Sequence, residues 1–153
     1  MSRRFFWLIL FLAATILLAL GTTVVRDHSA IIKAKEFALL SVGQQQYAVE
    51  VARTRAAQEQ GLSNRNSIGS DGMLFIFSTN QNATFWMKGM RFGLDIVWIY
   101  NGTVIGIDQN VSPPMGGQDP EIRQSPGSIS QVLELPAGSA NLISVGDLVS
   151  IDY

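Results

Sequence analysis

Few residues in this chain are of a type that does chemistry. Cysteine is absent and His28 is the only histidine, which removes thiol nucleophiles, disulfides and almost every zinc, haem or iron–sulfur arrangement. His28 stands beside Asp27 with nothing spaced to complete a Ser-His-Asp triad. What remains is Trp86, Lys88 and Asp95, with Arg65 upstream between Asn64 and Asn66. In a ligand pocket, Trp86 would supply an apolar or stacking wall, Lys88 and Asp95 would orient a polar group, and Arg65 would stand at the rim. A plain salt bridge between Lys88 and Asp95 would place the same two residues there, because charges near a core are generally paired. The asparagines around Arg65 also read as a solvated turn. Asp95 with Glu134 is a second chemistry, an acid and a base acting on a glycosidic bond of an envelope polymer. Glu134 reads equally as an exposed or paired surface acid. Asp108, Asp119 and Glu121 offer carboxylates without the regular spacing of a calcium loop. The sequence therefore calls for no cofactor and no metal.

The elements that must position these residues fit one domain. The 153 residues are 47% hydrophobic and 15% charged, with a mean hydropathy of +0.21, which excludes a disordered chain. The segments 36–42 and 46–52 are rich in β-favouring residues around Gly43, which predicts a hairpin. Thr54 predicts an N-cap for a short helix over 55–60, closed by Gly61 with Leu62 folding back. Five apolar residues in succession, 73–77, predict a strand buried on both faces. Strands follow over 85–88 and 94–100, and Asn101-Gly102 before Thr103 is a type I′ hairpin signal. The stretch 112–127 holds four of the five prolines and predicts a long loop of the kind kept for function or as a lid. Segments 130–135 and 148–153 predict two closing strands, joined through 137–145 as a turn or short helix. The sum is a mainly β (α+β) domain of seven to nine strands and one or two short helices, in a small barrel-like antiparallel or mixed sheet. Its expected core holds Leu74, Phe75, Phe77, Ile96, Trp98, Ile107, Leu133 and Val149.

Arg3 and Arg4 precede 21 residues, Phe5 to Val25, without a charge. At about 1.5 Å per residue such a helix reaches roughly 31 Å, enough for a hydrocarbon core of about 30 Å. It reads as an uncleaved transmembrane anchor, with a cleaved signal peptide as the alternative, since Ala19-Leu20-Gly21 offers small residues to a signal peptidase. In either case the arginines stay inside, residues 26–36 form a linker, and the domain over 37–153 lies on the extracytoplasmic side. From Arg26 to Tyr153 nine basic and twelve acidic residues leave a net charge of −3, so nucleic acid is not the expected partner.

Six blocks in order carry a resemblance to a known family. They are Thr54 with Gln58 and Gly61-Leu62, Gly72-Met73-Leu74-Phe75, Phe85-Trp86-Met87-Lys88, Leu94-Asp95-Ile96, Leu133-Glu134-Leu135-Pro136-Ala137-Gly138, and Gly146-Asp147. From about Phe37 onward the chain resembles the DUF192 (UPF0127) family of uncharacterised domains. The resemblance implies a small, mostly β, barrel-like fold, often exported or membrane-anchored, and brings no established activity. The family pattern usually continues Trp-Met-Lys with asparagine, where this chain has Gly89. Members with cysteines after the position of Val111 differ from this chain, which has Pro113, Pro114 and Met115 there. The functional expectation is a non-catalytic binding module of the envelope, anchored through Phe5 to Val25, taking a small molecule or envelope glycan at Trp86, Lys88, Asp95 and Arg65. The alternatives are a carboxylate-dependent glycan hydrolase and a purely structural or protein-interaction module. A reporter that works only outside the cytoplasm, fused after Tyr153, is expected to be active; activity of a strictly cytoplasmic reporter there would refute the orientation.

Overall fold

The protein is described by a computed structural model over residues 35–152. The hydrophobic segment 5–25 and most of the linker lie outside the described residues. Nine strands and one helix follow in chain order: β1 (Glu36–Val42), β2 (Gln45–Ala52), α1 (Arg55–Gln60), β3 (Gly72–Gln81), β4 (Thr84–Trp86), β5 (Leu94–Tyr100), β6 (Thr103–Val111), β7 (Ile122–Gln124), β8 (Ile129–Pro136) and β9 (Val149–Asp152). Seven of the strands form one mixed sheet in the order β6-β5-β8-β3-β2-β1-β9, and β4 with β7 makes a separate two-stranded ribbon. Only β2 and β3 run parallel. A parallel pair needs a crossover connection, and α1 with the loop after it supplies one.

Local chemistry explains the joints. Thr54 accepts a hydrogen bond from the Ala57 amide at 3.2 Å and so caps α1. Asn101 and Gly102 have φ of +47° and +74°, the two positive values a type I′ turn requires, and they join β5 to β6. At the far end of the sheet the amides of Val104 and Val149 donate to Asp147 and Gly102 at 2.9 and 2.8 Å, and Thr103 bridges Leu148. The two outer strands are thereby tied at one corner. The sheet is a curled half-barrel rather than a closed cylinder.

Side chains from the sheet bury on both faces. Inside the curl pack Leu40, Val49, Leu74, Val97, Ile99, Leu133 and Leu135. On the other face pack Ala52, Met73, Phe75, Ile96, Trp98 and Val132. The ribbon sits over this second face, where Phe85 meets Phe75 edge-on at 5.1 Å and Trp98 at 5.6 Å. Of the expected core, Leu74, Phe75, Ile96, Trp98 and Leu133 are buried. Phe77, Ile107 and Val149 are only partly so, since Val149 and Ile107 belong to outer strands and Phe77 lies where β3 leaves its partner.

Three local expectations are corrected. The strand over 73–77 continues to Gln81, because the polar residues after Phe77 stay extended beyond the apolar run. The strand over 85–88 ends at Trp86, where Met87 and Met90 close a turn with an amide-to-carbonyl bond of 3.1 Å, leaving Lys88 off the strand. The proline-rich loop contains β7, and Ile122–Gln124 pairs with Thr84–Trp86. Phe75→Ala is expected to lower the unfolding free energy by about 3–5 kcal/mol, measured by urea denaturation; a loss below about 1 kcal/mol would refute its central packing.

Candidate functional site

A row of residues crosses the second face of the sheet at one level. Glu50 on β2 is opposite Met73 on β3, Met73 is opposite Glu134 on β8, and Glu134 is opposite Ile96 on β5. Facing partners in a ladder share a face, so two carboxylates flank Met73 under the cover of the helix and ribbon. Both are nearly enclosed, Glu50 at 9% and Glu134 at 7% exposure.

Their surroundings differ. Glu50 accepts two hydrogen bonds from the Arg65 guanidinium, at 2.7 and 2.8 Å, and one from Lys35 Nζ at 2.8 Å. Arg65 first, helped by Lys35 and opposed by burial, holds the Glu50 carboxyl down to about 2. Glu134 receives no hydrogen bond and no ion pair from the described residues. Burial pushes its carboxyl up to about 8, against a weaker downward pull from Arg65, whose donors are committed to Glu50. One tenfold step per pH unit leaves Glu134 about nine-tenths protonated at neutral pH. A protonated carboxyl can donate as well as accept.

Glu134 opens onto a groove of about 450 Å³ between α1 and β4. Phe75, Leu62 and Met90 line it with Glu134, Arg55, Gln58, Glu59 and Gln60 come from α1, and Phe77, Phe85 and Trp86 come from the β3–β4 region. Gln58 Nε2 donates to Ala52 O at 3.2 Å and Ile76 O at 2.8 Å, which fastens the helix to β2 and β3. Trp86 is 59% exposed at the mouth, and Lys88 Nζ lies 5.2 Å from its ring centroid, within cation–π range.

Of the four residues singled out in the sequence, the structure brings three to this side of the sheet. Trp86 lines the groove, Lys88 stacks on Trp86, and Arg65 clamps Glu50 one strand pair away from Glu134. Asp95 does not join them. It alternates with Leu94 and Ile96 on β5 and so shares the inner face with Val97 and Ile99. Fully buried there, it accepts hydrogen bonds from the Asn110 and Ala140 amides, both at 2.8 Å. The salt bridge between Lys88 and Asp95 does not form, and the carboxylate pair of Asp95 with Glu134 is divided by the sheet. Two further acids have a partner: Arg123 takes both Glu121 and Asp108, the latter at 3.6 Å. Gly89 has φ of +72°, a value open to glycine and, among larger residues, most readily to asparagine or aspartate. That conformation accounts for glycine standing where the resemblance leads one to expect asparagine.

Sequence reasoning missed Gln58 as an anchor and Glu134 as the groove's acid. The signal for Glu134 was Val132-Leu133-Glu134-Leu135, an acid inside a strand with no polar alternation.

A family profile for DUF192, described as "Uncharacterized ACR", matches residues 38–151, and the chain belongs to that family. No curated protein matches the chain. Two solved structures are similar. One, from Sinorhizobium meliloti 1021 and described by conjecture as a transcription regulator, is 28% identical at a TM-score of 0.69, over 78% of this chain and 97% of its own. The other, a protein of unknown function from Novosphingobium aromaticivorans, is 29% identical at a TM-score of 0.69, over 78% of this chain and 89% of its own.

The raised pKa of Glu134 carries a stability consequence of definite sign. Between about pH 4.5 and 8 the unfolded chain loses this proton while the folded chain keeps it, so stability present below 4.5 is lost as pH rises, with a limiting slope of roughly 1.4 kcal/mol per pH unit. Glu134→Gln is expected to flatten this part of the stability profile, read from urea midpoints between pH 5 and 8. Equal slopes in the two proteins would refute the neutral buried acid.

Proposed function

As a member of the DUF192 family, whose description assigns no activity, this protein is, we propose, a non-catalytic binding module of the cell envelope that takes an uncharged group into the groove between α1 and β4. The observation that carries the reading is Glu134, an acid kept protonated at the floor of an apolar-walled trough with an exposed tryptophan at its mouth. A trough of this volume, in which Leu62, Phe75, Phe85 and Met90 supply apolar surface between polar side chains, is of the size of a small-ligand site. A charged guest is disfavoured there, because Arg65 is neutralised by Glu50 and Arg55, the cation that lines the groove, is paired with Glu59 at 2.7 Å. Trp86 offers a flat apolar face, and the side-chain amides of Gln58 and Gln60 add polar groups to one wall.

Catalysis by two carboxylates lacks support from the geometry, since an acid and a base that act on one bond must flank it from a common cavity. Glu59 is the other carboxylate that lines the groove, and it is exposed on α1 and paired with Arg55 at 2.7 Å rather than buried opposite Glu134. A nucleic-acid role, suggested by the conjecture attached to the Sinorhizobium relative, is disfavoured by the net charge of −3 from Arg26 to Tyr153. The envelope location rests on the 21 uncharged residues after Arg4, with the two arginines retained inside.

Native mass spectrometry of the full chain, purified gently from its own membranes, tests the reading. A retained mass is expected, weakened about tenfold or more in Trp86→Ala. Wild-type protein is expected to release it between roughly pH 7 and 9 as Glu134 ionises, and Glu134→Gln to hold it over the same range. Retention indifferent to both substitutions, or no retained mass, would overturn the proposal.

A further inference from the structure

β4 has one neighbour, and the pattern of its hydrogen bonds leaves its other edge open. On the β7 side, Ser125 N donates to Ala83 O and Met87 N to Glu121 O, both at 2.9 Å, while Phe85 stands opposite Arg123. In an antiparallel ladder the residues between such positions turn their N–H and C=O groups the other way. Those residues are Thr84 and Trp86. None of their four main-chain groups meets a partner among the described residues, and both residues are exposed. The ribbon's β7 side leans towards β6, where Arg123 reaches Asp108. The open side of β4 therefore looks across the groove to α1. An unpaired strand edge beside an apolar trough is a template for one more strand.

We propose that the groove takes an extended polypeptide segment, which pairs with the main-chain groups of Thr84 and Trp86 as a third strand of the β4–β7 ribbon and lowers one uncharged side chain onto Phe75 and Leu62 beside Glu134. This rests on the reading of the groove as a binding site and names the class of its occupant. Two donors and two acceptors alternating at the repeat of a strand match the amides of another extended chain. A glycan has no such array. Side chains of an added strand alternate between the floor and the mouth, so one residue enters the trough while its neighbours lie along the exposed ring of Trp86. The floor selects an uncharged side chain, since Arg55, the cation that lines the groove, is already paired with Glu59 and a base would have to be desolvated together with Glu134.

The probe is a displayed library of random heptapeptides, selected against the full chain in detergent. The strongest binder is then measured by fluorescence polarisation, with chitin oligosaccharides as the glycan comparison. Thr84→Pro removes only a groove-facing N–H, and proline is tolerated on a strand edge that does not pair. It is expected to keep the fold and lose about tenfold or more in peptide affinity, whereas Thr84→Ala binds as wild type. Methylating the peptide's amides one at a time is expected to abolish binding at alternate positions only, a readout that needs no variant of the protein. Failure to select any peptide, equal binding by Thr84→Pro and Thr84→Ala, or indifference to N-methylation would overturn the inference. Binding of the oligosaccharide in a Trp86-dependent way without peptide binding would also overturn it while leaving the groove a binding site. Binding of neither, with no mass retained from the native membranes, would remove both.

Discussion

The central strands of this sheet are covered on both faces, and a charged group placed on them has no water to fall back on. Three carboxylates sit there, and each is accommodated differently. Asp95 is met by two main-chain amides on the inner face, donors that cannot move away. Glu50 is met by Arg65 and Lys35, which join the loop before β3 and the start of β1 to the middle of β2. Glu134 is met by no hydrogen-bond partner among the described residues, and burial raises its carboxyl to about 8. The first two arrangements tie segments distant in sequence to the sheet: Asp95 links β5 to the end of β6 and to the turn at Ala140, and Glu50 links three separate stretches. The third leaves an unspent hydrogen-bonding group where the cover over the sheet opens into the groove.

That gap arises from the pairing of β3 with β8. The register runs regularly from Met73 opposite Glu134 to Ile76 opposite Gln131, and resumes with Gln81 opposite Ile129. Four residues of β3 therefore stand against one of β8 in between, an irregularity that bends the strand away from its partner. The bend carries Phe77 out of the core and sets the β4–β7 ribbon at a distance from α1. Phe85 then anchors the ribbon through Phe75 and Trp98, which leaves the open edge of β4 aligned along the trough. Groove and exposed edge thus both follow from one departure from regular pairing.

Much of the framework is legible in the residues. The run Met73 to Phe77, the cap at Thr54 and the Asn101-Gly102 turn are local signals with local causes, and α1 and β5 have the bounds their patterns predict. The site was legible only in part. Trp86 and Lys88 both fall in the strand expected over 85–88, but a three-residue strand followed by a turn leaves Lys88 to reach Trp86 through space. Asp95 stands seven residues from Lys88 in the sequence. That separation does not reveal which face of β5 it takes. The alternation with Leu94 and Ile96 decides it, and this requires knowing that both faces of the strand are buried. The same two-sided burial turns Glu134 from a surface acid into a buried one. The pairing of β7 with β4 is a contact between short segments separated by a proline-rich stretch, where neither periodicity nor turn chemistry specifies a partner.

A carboxyl held neutral by burial gains from a guest that accepts its proton in a hydrogen bond without removing it, and an apolar guest without an acceptor would leave that donor unmet at a cost of roughly 1–3 kcal/mol. An ionised guest acid would face Arg65 already saturated by Glu50 and would share the trough with a second carboxyl. An amide or hydroxyl carried on an apolar stem satisfies both the walls and the floor. The pairing of Arg65 with Glu50 thus acts on selectivity from outside the groove. By occupying the nearest cation it leaves burial, which raises the Glu134 carboxyl, only weakly opposed, and the resulting neutral acid sets the charge of what the trough can accept.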